Sequence, residues 1–343
     1  MLRRLNIILI LLTLVAYLVP HVNPQSFSLL TFLGPAYPWL VMANILFILF
    51  WGYHKNWYAL FSLGCLIVGI TYFHGFFGLN FGKPPEITKN EIQLLSFNMK
   101  QLENPNIEHQ QYLDERLAEF EKSKEELGTV SVLAAQEVKG VITEGIANAM
   151  NLEIAHSTSI NHIMTSLPVK SKGEVSFTNN TANSCIWIDV EVSGKIVRIY
   201  SLHLQSNRIS GVTDKVAKEG DLREEETWLD IKNILGAYRR TAKIRVEQAE
   251  KVATHVANCP HPAILCGDFN ETPMSYIYRL LAKNRKDSFV EKGLGLGTTY
   301  AGNIPFLRID YILAYQSLDI LSHRIYKMDY SDHYGVGARI RID

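Results

Sequence analysis

The sequence predicts an α/β domain of mixed sheets packed on each other with helices outside, preceded by an N-terminal transmembrane helical region. Three observations predict it. Lys+Arg and Asp+Glu both number 34, yet residues 1–83 hold four of the basic residues (Arg3, Arg4, Lys55, Lys83) and no acidic one. Residues 84–343 therefore hold 30 basic against 34 acidic residues, a net of −4, which is the composition of a soluble domain able to bury one large core. In this second part, strand-like apolar runs outnumber helical patterns, and many strands with few helices between them favour packed mixed sheets.

Residues 1–80 carry three apolar stretches, at 5–20, 36–53 and 57–77. The last two approach or reach the ~20 residues of a bilayer span. The first is shorter, and no small-x-small cleavage site follows it, so it reads as an uncleaved anchor. Two to three transmembrane helices are expected. Trp51, Tyr53, Trp57 and Tyr58 flank the connection holding Lys55, as an interfacial aromatic belt would. Arg3, Arg4 and Lys55, against a 20–36 loop with no Lys or Arg, predict a cytoplasmic start and a non-cytoplasmic domain after residue 80. The four cysteines, Cys65, Cys185, Cys259 and Cys266, have no metal-site spacing and read as free thiols.

A Pro-bearing linker over 81–91 can reach at most ~35 Å, which holds the domain at 92–343 close to the bilayer. Its elements follow in order. Strands are predicted at 92–98 and 129–137, with helices at 109–122 and 143–150. Segments 183–192 and 195–204 form a hairpin-like pair around Ser193-Gly194. A helix at 244–258 precedes a strand at 262–270, and Thr272-Pro273 reads as the N-cap and first turn of another helix. Strands at 308–315, 322–328 and 334–342 end the chain. The charged stretch 208–243 is expected to be a solvated helical insertion or a cap over the site that His203 marks. There is no internal repeat.

Polar residues recur where these strands end. Asn98 closes SFNMK, and Glu137 closes AAQE. His203 and Asn207 lie in HLQSN, Asp268 and Asn270 in GDFN, Asp310 in RIDYIL, and Asp332 and His333 in SDH. Singly, each has a structural explanation as a turn or a paired core carboxylate. Together they gather where loops meet a sheet edge, which is where sites are commonly built. The residue types suit hydrolysis of a phosphate ester. Carboxylates hold Mg²⁺, a His backed by an Asp moves or holds a proton, and Asn amides stabilise oxyanions.

The ordered set LSFNMK, QE, SLHLQS, GDFNETP, RIDYIL and SDHYG resembles the endonuclease/exonuclease/phosphatase superfamily over about residues 90–343. The resemblance implies a four-layer α/β/β/α sandwich and an enzyme that uses Mg²⁺ (or Mn²⁺). It implies Glu137 as main metal ligand with Asn98 and Asp332 near it, and Asp268 at the attacking water. It further implies Asn270 and His203 on phosphate oxygens, and His333 paired with Asp310 at the scissile phosphate. Asn207 is a candidate substrate contact. The chain departs from the family pattern at His162, in NHIMTSLPV, and at Lys100. The expected activity is water-mediated cleavage of a phosphoester, most simply a phosphodiester, by a membrane-tethered, nuclease-type hydrolase. A phospholipid or inositol-phosphate phosphoesterase is the alternative within the class, and a catalytically inactive membrane-bound binding module the alternative outside it. No protein partner is evident.

Overall fold

A computed structural model describes residues 1–100, 129–138, 140–178, 183–207, 223–302, 304–328 and 331–342, with isolated positions in 101–128 and at 216. The helix expected at 109–122 lies outside the described residues.

Each central strand of the part after residue 90 is buried on both faces, and alternate side chains feed different cores. On β2 (Glu91–Asn98), Ile92 and Leu94 enter one cluster, Leu95 and Phe97 another. The first cluster lies between two six-stranded sheets. One sheet runs β13 (Asp319–Tyr326), β14 (Gly335–Arg341), β2, β3 (Val132–Gln136), β5 (Asn161–Thr165), β4 (Glu153–Ser157). The other runs β10 (Arg285–Asp287), β12 (Asp310–Tyr315), β9 (Ala263–Asp268), β8 (Lys195–His203), β7 (Ser184–Val192), β6 (Val169–Val175). Strands β2 and β3 are parallel, as are β8 and β9, and the remaining pairs are antiparallel. Helix α5 (Gly140–Met150) covers the outer face of the first sheet through Ile142 and Ile146. Helices α6 (Glu225–Ala257) and α7 (Tyr276–Ala282) cover the second through Val246, Val252 and Ile277. The result is the expected α/β/β/α sandwich of two mixed sheets.

Three local expectations change. The 208–243 stretch is not a separate insertion from Glu225 onward: no proline interrupts it, and it runs unbroken into the helix expected at 244–258, giving 33 residues in α6. Helix α7 is capped by Ser275, whose hydroxyl accepts from the Tyr278 N–H at 3.0 Å, rather than by Thr272, which is buried. The third apolar stretch breaks at Gly69 into α3 (Ala59–Val68) and α4 (Ile70–Phe73). A close approach keeps this position a glycine: a Cβ on Gly69 would lie 2.1 Å from the Tyr17 ring. Two helical segments are long and apolar enough to cross a membrane, Leu2–His21 (20 residues) and Ser28–Tyr53 (26 residues).

These segments, containing α1 (Leu2–Ala16) and α2 (Leu33–Tyr53), pack with α3 into a bundle whose apolar side chains face outward. Its interior combines an apolar cluster around Tyr17, Tyr37 and Val41 with buried polar contacts. Asn6 donates to Ser62 at 2.7 Å and accepts from the Trp51 indole at 3.0 Å, and Asn44 donates to Thr13 at 2.9 Å. The end of the bundle nearer Gly75 is joined to the sandwich. β1 (Phe77–Leu79) pairs with β11 (Leu294–Leu296), and Arg308 donates to the Gly75 carbonyl at 2.7 Å. Arg239 donates to Ser28 at 3.0 Å. At the opposite end, the Arg3 guanidinium lies over the Tyr58 ring at 5.1 Å.

Candidate active site

The parallel pair β8–β9 and the antiparallel pair β9–β12 put His203, Asp268 and Asp310 in one register row, on three adjacent strands of the second sheet. In the first sheet, Asn98 is level with Gln136, and Glu137 follows β3 at once. The two rows meet at one end of the sandwich. Gly267 makes the row sharp: its φ is +127°, and a Cβ there would sit 2.0 Å from the Leu202 carbonyl oxygen. Glu137 and Asn270 also take left-handed backbone, with φ of 55° and 52°. Such conformations are sparsely populated for non-glycine residues and gather at sites.

A cleft of about 370 Å³ opens over these strand ends. Six of the sequence-predicted residues line it: Glu137, Asn207, Asp268, Asn270, Asp332 and His333. Asn98, His203 and Asp310 sit behind that surface. Asn98 Nδ2 donates to Glu137 at 3.2 Å and to Asp268 at 3.0 Å. Asp310 accepts from His333 Nδ1 at 3.0 Å. His203 Nε2 lies 3.2 Å from Glu137, outside hydrogen-bonding geometry, and its ring is buried. Asn270 donates its backbone N–H and its amide to Asp268 at 2.7 and 2.9 Å, so this amide orients the carboxylate.

The carboxylates differ electrically. Burial alone would raise the Glu137 carboxyl, but neighbouring His203, Asn98 and His333 outweigh it and hold the group at about 2. Burial raises Asp268 to about 6; His333 opposes that rise and Asp310 adds to it. For His333, burial disfavours the cation, yet Asp310, Asp268 and Asp332 together push the imidazole up to about 10.

Two groups of residues compete as a metal centre. Ligand atoms of Asp268, Asp310 and His333 lie within 4.8 Å of one another. That triad is already satisfied internally, because Asp310 holds His333 and Asp268 accepts three donors. Of the expected set Glu137, Asn98 and Asp332, Asn98 directs its amide to Glu137 and Asp268, and the two carboxylates are the hard donors that suit a cation. Glu137 is kept ionised at the cleft surface, and Asp332 Oδ1 is buried with no hydrogen-bond partner among the described residues. The site attracts positive charge, since Lys100 Nζ stands 2.9 Å from Asp332 Oδ2. Mg²⁺ is commonly held by one or two carboxylates and keeps several waters, which matches this donor set.

The structure adds residues that the sequence reading missed. Arg245, fully buried, donates to Glu271 at 2.9 and 2.7 Å, to the Gln205 carbonyl at 2.8 Å and to Asn207 at 2.9 Å. It holds one wall of the cleft. Its signal was an arginine in step with Val246, Ala249 and Val252 on an apolar helix face. Gln136, Ser201 and Asn161 form a buried chain between the sheets, at 2.9 and 2.6 Å. His162 is structural: its nitrogens lie 2.9 Å from the Val138 carbonyl and 2.9 Å from Ser157.

The endonuclease/exonuclease/phosphatase family model matches residues 96–333, and a domain family of unknown function matches residues 1–76. No curated protein matches the chain by sequence. Among solved structures, a humanized D. rerio TDP2 carrying 14 mutations is 16% identical, with a TM-score of 0.54, covering 74% of this chain and 100% of that one. D. rerio TDP2 with a single-strand DNA product gives 16% identity and a TM-score of 0.51, covering 74% and 99%. A family member from Bacteroides thetaiotaomicron gives 15% identity and a TM-score of 0.50, covering 76% and 100%. At these identities the likeness speaks for the fold, and the match over 96–333 speaks for the lineage. The chain belongs to the endonuclease/exonuclease/phosphatase family, hydrolases of phosphoester bonds.

Proposed function

We propose that the chain is a membrane-tethered phosphodiesterase that depends on a divalent cation, Mg²⁺ or Mn²⁺, and uses water as nucleophile. One observation carries the reading: Glu137, Asp268, Asp332 and His333 converge on a single cleft, with Asn98, His203 and Asp310 packed behind them. Glu137 and Asp332 would hold the cation, which when bound neutralises charge on the phosphoryl oxygens.

The remaining chemistry falls to the chain itself. Asp268, fixed by Asn98 and Asn270, accepts a proton from the attacking water. The water oxygen forms the new bond to phosphorus as the ester P–O bond breaks. His333 carries its proton between Asp310 and Asp268, which lie 3.0 and 3.9 Å from its nitrogens. It donates that proton to the leaving oxygen. Asp310 and His203 act as positioning groups, and Asn207, held by Arg245, faces the substrate.

The N-terminal bundle is proposed as the membrane anchor. Its outward apolar side chains and inward amides support this, because polar contacts hold helices together where the surroundings are apolar. Arg3 and Tyr58 meet at the end away from the catalytic domain, which supports a non-cytoplasmic catalytic domain. A C-terminal reporter active only in the cytoplasm would contradict that side.

The test is hydrolysis of a soluble phosphodiester by the full chain in detergent, titrated with Mg²⁺ and Mn²⁺. Glu137→Gln should raise the cation requirement at least ~10-fold while keeping shape, since loss of the charge removes the main hard donor. Unchanged cation dependence would sink the metal assignment. An inactive binding module would hydrolyse nothing. The DNA product bound by D. rerio TDP2 supports nucleic acid as substrate, whereas the cleft lining favours a lipid.

A further inference from the structure

The lining of the cleft mixes carboxylates with a group of apolar side chains. The apolar group is Phe32, Pro35, Ile234, Leu235, Ile304 and Leu307. Phe32 and Pro35 come from the apolar N-terminal region, at the start of α2, the longer candidate span. The facing loop rests on the same helix, for Phe306 packs edge-on against Trp39 of α2 with ring centroids 5.2 Å apart. So α2 supports both rims of the cleft within its first two turns.

The apolar wall continues beyond the cleft. On α6, Leu235 is followed toward the N-terminus by Ile231 and Trp228, at helical spacing on one face. Leu235 and Trp228 are exposed, at 40% and 56%. Phe27 and Leu29, which precede α2, are exposed as well. An exposed apolar stripe beside a candidate membrane span has the form of a surface that meets the interfacial layer of a bilayer.

Charge argues in the same direction. A nucleic acid strand is gripped through several cations along its phosphates. Among the described residues lining this cleft, Lys100 is the sole Lys or Arg, and it faces Asp332. Glu137, Asp268, Glu271 and Asp332 make the lining acidic. One bound divalent cation serves one phosphate; it does not serve a strand.

We propose that the substrate is a membrane lipid bearing a phosphate ester, drawn from the outer edge of the bilayer beside α2. Its phosphate meets Glu137, Asp268 and His333, and its apolar chain lies along Phe32, Leu235 and Leu307. This rests on the phosphoesterase reading and names the substrate class of that site. The bond changes are those of ester hydrolysis: water adds its oxygen to phosphorus, the P–O bond to the leaving alcohol breaks, and that alcohol departs protonated.

The experiment uses the full chain in detergent micelles with Mg²⁺. Dioleoyl phosphatidylglycerol and its deacylated counterpart glycerophosphoglycerol are compared at equal concentration, with a single-stranded DNA oligonucleotide as a third substrate. The two phosphoglycerol esters share the phosphodiester and differ in the chains. The lipid should be turned over at least ~10-fold better by kcat/KM than its deacylated form, about what two buried methylenes contribute. Leu235→Asp should shrink that ratio at least ~10-fold, and Phe32→Ser should shrink it as well. Equal handling of the two phosphoglycerol esters, or preferred cleavage of DNA, overturns the lipid assignment while leaving the phosphoesterase reading intact. No turnover of any ester overturns both.

Discussion

The two halves of the molecule bury polar side chains for opposite reasons. In the N-terminal bundle, Asn6, Thr13, Asn44 and Ser62 are fully buried, while leucines and isoleucines face outward. Their contacts are short, neutral and local to the bundle. In the sandwich the apolar residues are inside, and the buried polar residues at one end are charged and crowded. Asp268, Asp310 and His333 share one small volume. In the proposed bilayer setting, the bundle's polar groups add to the apolar cluster around Tyr17 and Tyr37 in holding the helices together. The sandwich relies chiefly on three apolar clusters buried by its sheets, with the Gln136–Ser201–Asn161 chain set between them. Two adjacent carboxylates burden that core, and their retention at a cleft points to chemistry.

The sharpest way to break this comparison is to remove charge from the crowd. Asp268→Asn keeps the shape and leaves Asp310 and His333 as a balanced pair. Turnover should fall by ~10²–10⁴-fold, the range for losing a proton acceptor, while the melting temperature holds or rises. A variant that unfolds would make Asp268 a structural residue and erase the contrast.

A second prediction concerns the seam between the halves. Arg308 donates to Asp287 at 3.0 and 2.8 Å and to the Gly75 carbonyl at 2.7 Å, and both charged side chains are buried. Asp287→Ala strands a buried guanidinium and should cost ~3–5 kcal/mol, loosening the attachment of the bundle. Burial alone would raise the Asp287 carboxyl, yet Arg308 and Tyr278 hold it below its ordinary value. Its folded value therefore lies below its unfolded one, near 3.9. The contribution is full above about pH 4 and is lost as pH falls further through the folded value. Denaturant titrations at pH 7 and pH 3 should show the wild type approaching the variant at the lower pH. An equal gap at both would remove the ion pair from the account.

Strand periodicity and strand-end residues were legible in the sequence because each follows from local rules. Asp268 and Asn270 stand two apart after Gly267, and the row they form follows from one turn. The Arg245–Glu271 brace and the Asp287–Arg308 seam were not legible. Their partners lie 26 and 21 residues apart, and only tertiary packing brings them together. Hydropathy showed three apolar stretches, but the close approach of Tyr17 to Gly69, where the third one breaks, joins positions distant in the chain. The apolar wall of the cleft was hidden for the same reason: Phe32 read as part of the loop between two apolar stretches, and Leu235 as part of a charged insertion.

The smallest effect expected is in the bundle, and it tests the other side of the comparison. Asn6 bridges Ser62 and Trp51, joining all three long helices near the end that carries Arg3. Asn6→Ala removes both hydrogen bonds and opens little volume beyond one amide. In water-exposed proteins a lost buried pair often costs more, but in an apolar surrounding the unfolded helices also find partners. The loss should be only ~0.6–1.7 kcal/mol, read by titrating the detergent-solubilised chain with a denaturing detergent. Turnover should stay at the wild-type level, because Asn6 lies at the end of the bundle away from the cleft. A fall in turnover matching the fall in stability would mean that the bundle's polar interior and the active site act as one unit, and the two halves would then have to be treated as a single folding body.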